Sequence, residues 1–188
     1  MSQRDRILQV ALHRFASQGI AATTIQDVAD HADVSKASVL YHFSSKAELV
    51  NHALTPSLDA LEALISGMEE HGSHAGGTRQ DFINAFVDFL IVHRLSTHVV
   101  VSHPYLADDI TALGRAQTMM GRMAQVVSEQ TSGDDDRLRF GVAVSGATYA
   151  LVSSGMLGVD TLDEESLRVG LRRVLSDMML SPAAEVTG

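Results

Sequence analysis

The chain has 188 residues, 45% hydrophobic and 20% charged, a globular composition that can bury an ordinary core without staples. It contains no Cys, which excludes a disulfide framework, a thiolate zinc site and a cysteine nucleophile. A formal net charge of −9 excludes a basic coat for nucleic acid.

The charge is unevenly spread. Residues 1–50 hold five basic and five acidic side chains, including the only two lysines, Lys36 and Lys46. The whole acidic excess therefore belongs to residues 51–188, and a neutral head on an acidic body predicts two units with different partners. Within the head, Ile7, Leu8, Ala11 and Phe15 share one face of a helix, with Gly19 placed to end it. Thr24 heads a second helix with Asp27 at its third position, close to a capping box, and Val28, Ala29 and Ala32 form its buried side. Asp33 falls at the turn, and Ser35 can cap a third helix carrying Val39, Leu40 and Phe43. Ser45-Lys46-Ala47-Glu48 is a Ser-x-x-Glu box that opens a fourth helix, which Pro56 should bend.

The body continues in helices. His71–Gly77 is a predicted loop, and Thr78 to about His103 a long helix followed by a shorter one stopped by Pro104. Ala107–Thr131 is amphipathic, and Asp134-Asp135-Asp136 places acids at the positive end of the next helix. Phe140–Val159 carries no formal charge over twenty residues, and Asp163–Leu180 closes the chain with apolar residues at helical spacing. No alternating strand pattern competes. The prediction is all-α, with a three-helix N-terminal head over 1–48 and a larger helical body over 49–188.

Ile25–Ser44 fits a helix-turn-helix. Val28, Ala32, Val34 and Val39 fall where the two helices must pack, and the exposed side holds Lys36, Ala37, Ser38, Tyr41 and His42 without an acid. The runs Thr23-Thr24-Ile25-Gln26-Asp27-Val28-Ala29 and Val34-Ser35-Lys36-Ala37-Ser38-Val39-Leu40-Tyr41-His42-Phe43, continuing to Leu49, resemble the TetR family of transcriptional repressors. Phe15 and Gly19 fit the same pattern. Asp33 departs from it at the usual turn Gly, as do Leu40 and Ser44 where Tyr and Pro or Gly are frequent. The resemblance covers about the first 50 residues.

It implies a dimeric reader of operator DNA whose divergent body binds a small ligand that releases it. Carried over by position, Thr24 and Ser35 stand at helix starts facing phosphate, and Lys36, Ala37 and Ser38 front the recognition helix. Tyr41, His42 and Lys46 resemble backbone-contacting positions. Tyr41 and His42 could instead cover the edge of the core, and Lys46 could be a solvated helix-start lysine.

In the body, Phe82, Phe86 and Phe89 form one helical stripe and Met119, Met120 and Met123 another, with His93, Tyr105 and Tyr149 nearby in sequence as polar handles. Two readings stand side by side: an apolar ligand pocket with a few orienting groups, or plain core. His93, His98 and His103 recur every five residues, a spacing that does not converge on one ion, and His71 and His74 beside Glu69 and Glu70 make a weak set without Cys. No metal or other cofactor is expected. Neither a phosphate loop, a His-Glu-x-x-His pair nor a Gly-x-Ser-x-Gly elbow is present, so the sequence does not predict an enzyme. Phe140–Val159 has the length of a membrane span, but its four Gly and four Ser or Thr predict a buried helix approached closely by another. A homodimer through Phe140–Val159 and Asp163–Leu180 follows, since one short recognition helix needs two half-sites for specificity. With charge preceding any apolar run at the N-terminus, no signal peptide is expected and the predicted location is cytoplasmic.

Overall fold

Capping side chains decide where the N-terminal helices begin. Ser2 accepts from the Asp5 N–H while the Asp5 carboxylate accepts from the Ser2 N–H, a reciprocal box that opens α1 (Gln3–Gln18). The box predicted at Thr24 and Asp27 opens α2 (Ile25–His31) in the same way. Ser35 caps α3 (Lys36–His42) by accepting from the Ser38 N–H at 3.0 Å.

The box predicted at Ser45 is only half formed. Its hydroxyl accepts from the Glu48 N–H, but the Glu48 carboxylate reaches past it and accepts from the N–H and hydroxyl of Ser44. The helix that follows, α4 (Lys46–Glu70), runs through Pro56 as one element. Beside the proline, the Thr55 and Ser57 hydroxyls donate to the carbonyls of Asn51 and Leu54.

This computed structural model describes residues 1–70, 79–131, 133–153 and 161–180, so the predicted loop His71–Gly77 lies outside the described residues. After it come α5 (Arg79–Val92), α6 (Arg94–Ser102), a 3-10 turn (Pro104–Leu106), α7 (Thr111–Gln130), α8 (Asp134–Val152) and α9 (Glu164–Leu180). Pro104 opens the 3-10 turn directly after α6, as its missing N–H allows. Among the described residues there is no strand, and no single helix is long and apolar enough to cross a membrane. The α5 and α6 segments meet that length and composition only when taken together as a bent pair.

The chain divides into two compact units, one of residues 1–60 with 95–119 and one of 61–94 with 120–188. In the first, α2 packs on α1 and on α3 around Ile7, Phe15, Val28, Val39 and Phe43, all essentially sealed from solvent. Each such side chain stabilises the fold by about 1.5–3 kcal/mol relative to exposure. The Arg4 guanidinium lies 5.2 Å from the Phe43 ring centroid and donates to His52 Nδ1, closing the edge of this core.

In the second unit α9 packs on α5 and on α8. Ile83, Phe86 and Leu90 of α5 meet this core with Phe140 and Ala147 of α8 and Leu175 of α9 all buried. Arg79 donates to both carboxylate oxygens of Asp136 and to the Met179 carbonyl, and Asp88 accepts from Arg168 and Arg172. The uncharged stretch expected as a helix over Phe140–Val159 belongs to α8, which begins at Asp134 with the three acids in its first turn as expected, and its predicted last residues 154–159 lie outside the described residues. It differs from prediction in not being buried all round: Phe140, Ala143, Val144, Ala147 and Leu151 face the core, whereas Leu138, Val142 and Tyr149 are exposed. Among the described residues only one side of α8 is buried, which the lack of charge on the other side concealed.

Candidate nucleic-acid interface

The turn between α2 and α3 is set by one residue. Asp33 has φ +51°, the only positive φ at a non-glycine position among the described residues, and the chain then folds back so that the Val34 N–H donates to the Ala29 carbonyl at 3.0 Å. Asp tolerates this left-handed conformation better than most side chains. Val28, Ala29, Ala32 and Val39 are buried as their spacing predicted, and Val34 is half-buried. These contacts clamp α3 by one side only.

The other side of α3 is open. Lys36, Ala37 and Tyr41 are exposed, Tyr41 to 86%, so that its ring is not covering the core edge. Ser38 and His42 are half-buried, and His42 Nε2 pairs with the Gln3 amide oxygen at 3.2 Å while its ring meets Tyr41 edge-on. Leu40, not among the predicted contacts, is 42% exposed beside Tyr41. Its position four residues after Lys36 was the signal that could have placed it on this face. No acidic residue lies within α3.

Thr24 is exposed at the start of α2, and its hydroxyl already has two duties: it donates to Asp27 Oδ2 at 2.7 Å and accepts from the Asp27 N–H at 3.1 Å. The Thr24 hydroxyl and N–H together hold the Asp27 carboxyl below the usual carboxylate range. The neighbouring Thr23, which sequence reasoning passed over, is fully buried and donates to the Gly19 carbonyl.

The two lysines are placed differently. Lys36 is exposed, whereas the Lys46 ammonium, predicted to dock on a DNA backbone, turns inward. It donates to the carbonyls of Ile20 at 3.0 Å, Thr23 at 3.2 Å and Ala21 at 3.3 Å, so all three of its N–H bonds serve the α1–α2 loop. A row of carbonyls at a helix-to-helix loop is a ready cation site, and it outcompetes solvent here because the lysine starts a helix immediately beside it.

The predicted ligand-contacting residues fall in two groups. Phe82 stacks on Phe86 at 5.5 Å and on Phe140 at 5.2 Å, and Phe89 lies 5.2 Å from His93, whose imidazole is held below its usual range by burial. Met119 and Met123 are buried. Tyr105, Met120 and Tyr149, by contrast, are all more than half exposed on the surfaces of their own units. Among the described residues no group of three or more His, Asp or Glu could hold a metal ion.

Residues 7–53 match the pattern of the bacterial regulatory proteins of the tetR family. The repressor KstR2 of Mycolicibacterium smegmatis is 43% identical over 60 residues, which cover 32% of this chain and 29% of that protein. The match thus spans less than a third of KstR2. The regulator TcmR of Streptomyces glaucescens is 29% identical across 93% of this chain and 82% of its own. Among solved structures, the ketosteroid transcriptional regulator KstR2 of Mycobacterium tuberculosis shares the fold with a TM-score of 0.65 at 19% identity, over 95% of this chain and 93% of that one.

Proposed function

From the tetR-family pattern over residues 7–53 we propose that the chain is a transcription regulator of that family and not an enzyme, and that it represses transcription by binding palindromic operator DNA as a homodimer. The observation that carries this reading is the open face of α3. A helix held rigidly by Val28, Ala29 and Val39 presents Lys36, Ala37 and Tyr41 outward with no acid among them, which suits a major groove about 12 Å wide. Lys36 and Ser38 reach base edges or flanking phosphates, the helix starts capped by Thr24 and Ser35 face phosphate with the first backbone N–H groups of α2 and α3, and Tyr41 and His42 rest on the sugar-phosphate backbone. Lys46 acts from behind, holding the loop that leads into α2.

Release comes from a small, largely apolar effector in the body, with the Phe82–Phe86–Phe140 stack and the buried Met123 as candidate walls and His93 as a polar group, all within the second unit. The protomers associate through the uncharged side of α8 and the flank of α9, where Leu138, Val142, Tyr149 and Val174 are left exposed by the single chain. Such a regulator works in the cytoplasm. Selection from a random duplex library with the full chain tests the reading. It should enrich an inverted repeat with half-site centres about 34–36 Å apart. Enrichment of no duplex at low salt would refute it.

A further inference from the structure

His103 lies between α6 and the 3-10 turn, is only 7% exposed, and spends both ring nitrogens on the backbone. Its Nδ1–H donates to the Val99 carbonyl at 2.9 Å, in the last turn of α6. Its Nε2 accepts from the Ile20 N–H at 3.3 Å, 83 residues away in the α1–α2 loop. An Nε2 that accepts and an Nδ1 that donates fix the ring as one neutral tautomer. Gly19 makes room for it: a Cβ there would stand 3.1 Å from Nε2, and the residue's φ of +85° also favours glycine.

Ile20 is therefore held through both of its flanking peptide groups. Its N–H is taken by His103, its carbonyl accepts from the Lys46 ammonium, and its side chain is buried. Four residues further on stands Thr24, the N-cap of α2. We infer that His103 is a positioning residue for DNA binding, fixing the α1–α2 loop to the end of α6 and so setting where Thr24 and α2 meet the duplex. The same two bonds leave neither ring nitrogen of His103 for a metal. The geometry also gives α6 a direct grip on the DNA-reading helices: a shift at the end of α6 must either carry Ile20 with it or break the Nε2 bond. This role rests on the proposed DNA-binding reading.

The test uses the full chain as wild type, His103→Phe and His103→Gln, with the duplex enriched by the wild type as probe. Phe keeps the ring's shape and loses both bonds, whereas the Gln amide oxygen can still accept from Ile20. Affinity should fall about 10-fold for Phe and recover to within about 3-fold for Gln, with the salt slope unchanged in both because no phosphate contact is lost. A folded Phe variant that binds like the wild type overturns the role, and a Gln variant as weak as Phe overturns the hydrogen bond as its carrier. Should Phe fail to fold, nitrogen-15 spectra of the unmutated protein decide: His103 must be the Nδ1–H tautomer, and an Nε2–H tautomer overturns the assignment. If the wild type enriches no duplex, the DNA reading fails separately, and the amide exchange of Ile20 still tests the link. That amide should be protected in wild type and Gln but not in Phe.

Discussion

Two helices of this protein expose one face each, and the faces differ in kind. On α3 the outward side chains are Lys36, Ala37, Leu40 and Tyr41, a cation and a phenol on an apolar ground. On α8 they are Leu138, Val142 and Tyr149, separated by Gly141, Ser145 and Gly146. Both helices are pinned to their unit by the opposite face, so both surfaces are rigid. The first suits a polyanion with readable edges. The second suits a surface like itself, since small residues permit close approach of a helix and the uncharged centre costs little to desolvate. Exposure alone does not distinguish a reader from an interface; charge at the centre of the exposed face does.

The largest expected effect comes from spoiling the α8 face. A Cβ built at Gly146 meets nothing within 4 Å, so Gly146→Arg fits the folded protomer and acts only where a second copy approaches. Light scattering should show the mass halved, and operator affinity should fall about 10²–10⁴-fold as the avidity of two linked heads is lost. A retained dimer mass would place the self-association surface elsewhere. On α3, Lys36→Ala should leave the dimer intact and weaken operator binding about 5–150-fold, the cost of one base contact. If Lys36 meets a base edge, the loss should concentrate at one position of the half-site. A loss spread evenly over all sequences would move Lys36 to a phosphate.

Lys46 should behave in a third way. Its three carbonyl partners predict that Lys46→Ala lowers stability by about 1–2 kcal/mol in chemical denaturation. The salt slope of DNA binding should stay where it was. A slope smaller by about one unit would return the ammonium to the DNA backbone, as the sequence resemblance implied.

The contrast between Lys36 and Lys46 shows what was legible beforehand. Helix starts were readable because Ser, Thr and Asp at fixed offsets have local partners, as at Thr24–Asp27 and Ser35–Ser38. The packing side of the helix-turn-helix was readable from the spacing of Val28, Ala32 and Val39. Partners far apart in sequence were not. Lys46 meets Ile20 across 26 residues and His103 meets Ile20 across 83, and neither lysine nor histidine carries any local mark of such a bond. Glu48 failed for a local reason, since two adjacent serines compete for one carboxylate and it accepts from Ser44 rather than the expected Ser45; the aromatic residues of the body failed for the long-range one. The Phe82–Phe86 pair was visible at helical spacing, but its stacking on Phe140 depends on how α5 and α8 meet.

The smallest effect tests how finely the α3 face is tuned. Asp33 holds a left-handed backbone at φ +51° and lies exposed at the tip of the turn, where its charge would approach phosphate in a complex. Asp33→Gly removes the Cβ penalty, about 1–2 kcal/mol for an average L-residue and less for Asp, while adding flexibility to the unfolded chain. The balance should stabilise the protein by about 0.5 kcal/mol and raise its melting temperature by a few degrees. Removing one negative charge from the duplex side should also raise DNA affinity a few-fold, and more at low salt than at high. A rise in stability without a rise in affinity would place Asp33 away from the phosphates, and with it the turn. The duplex would then meet the far end of α3, so that Tyr41 and His42 would outweigh Lys36 in binding.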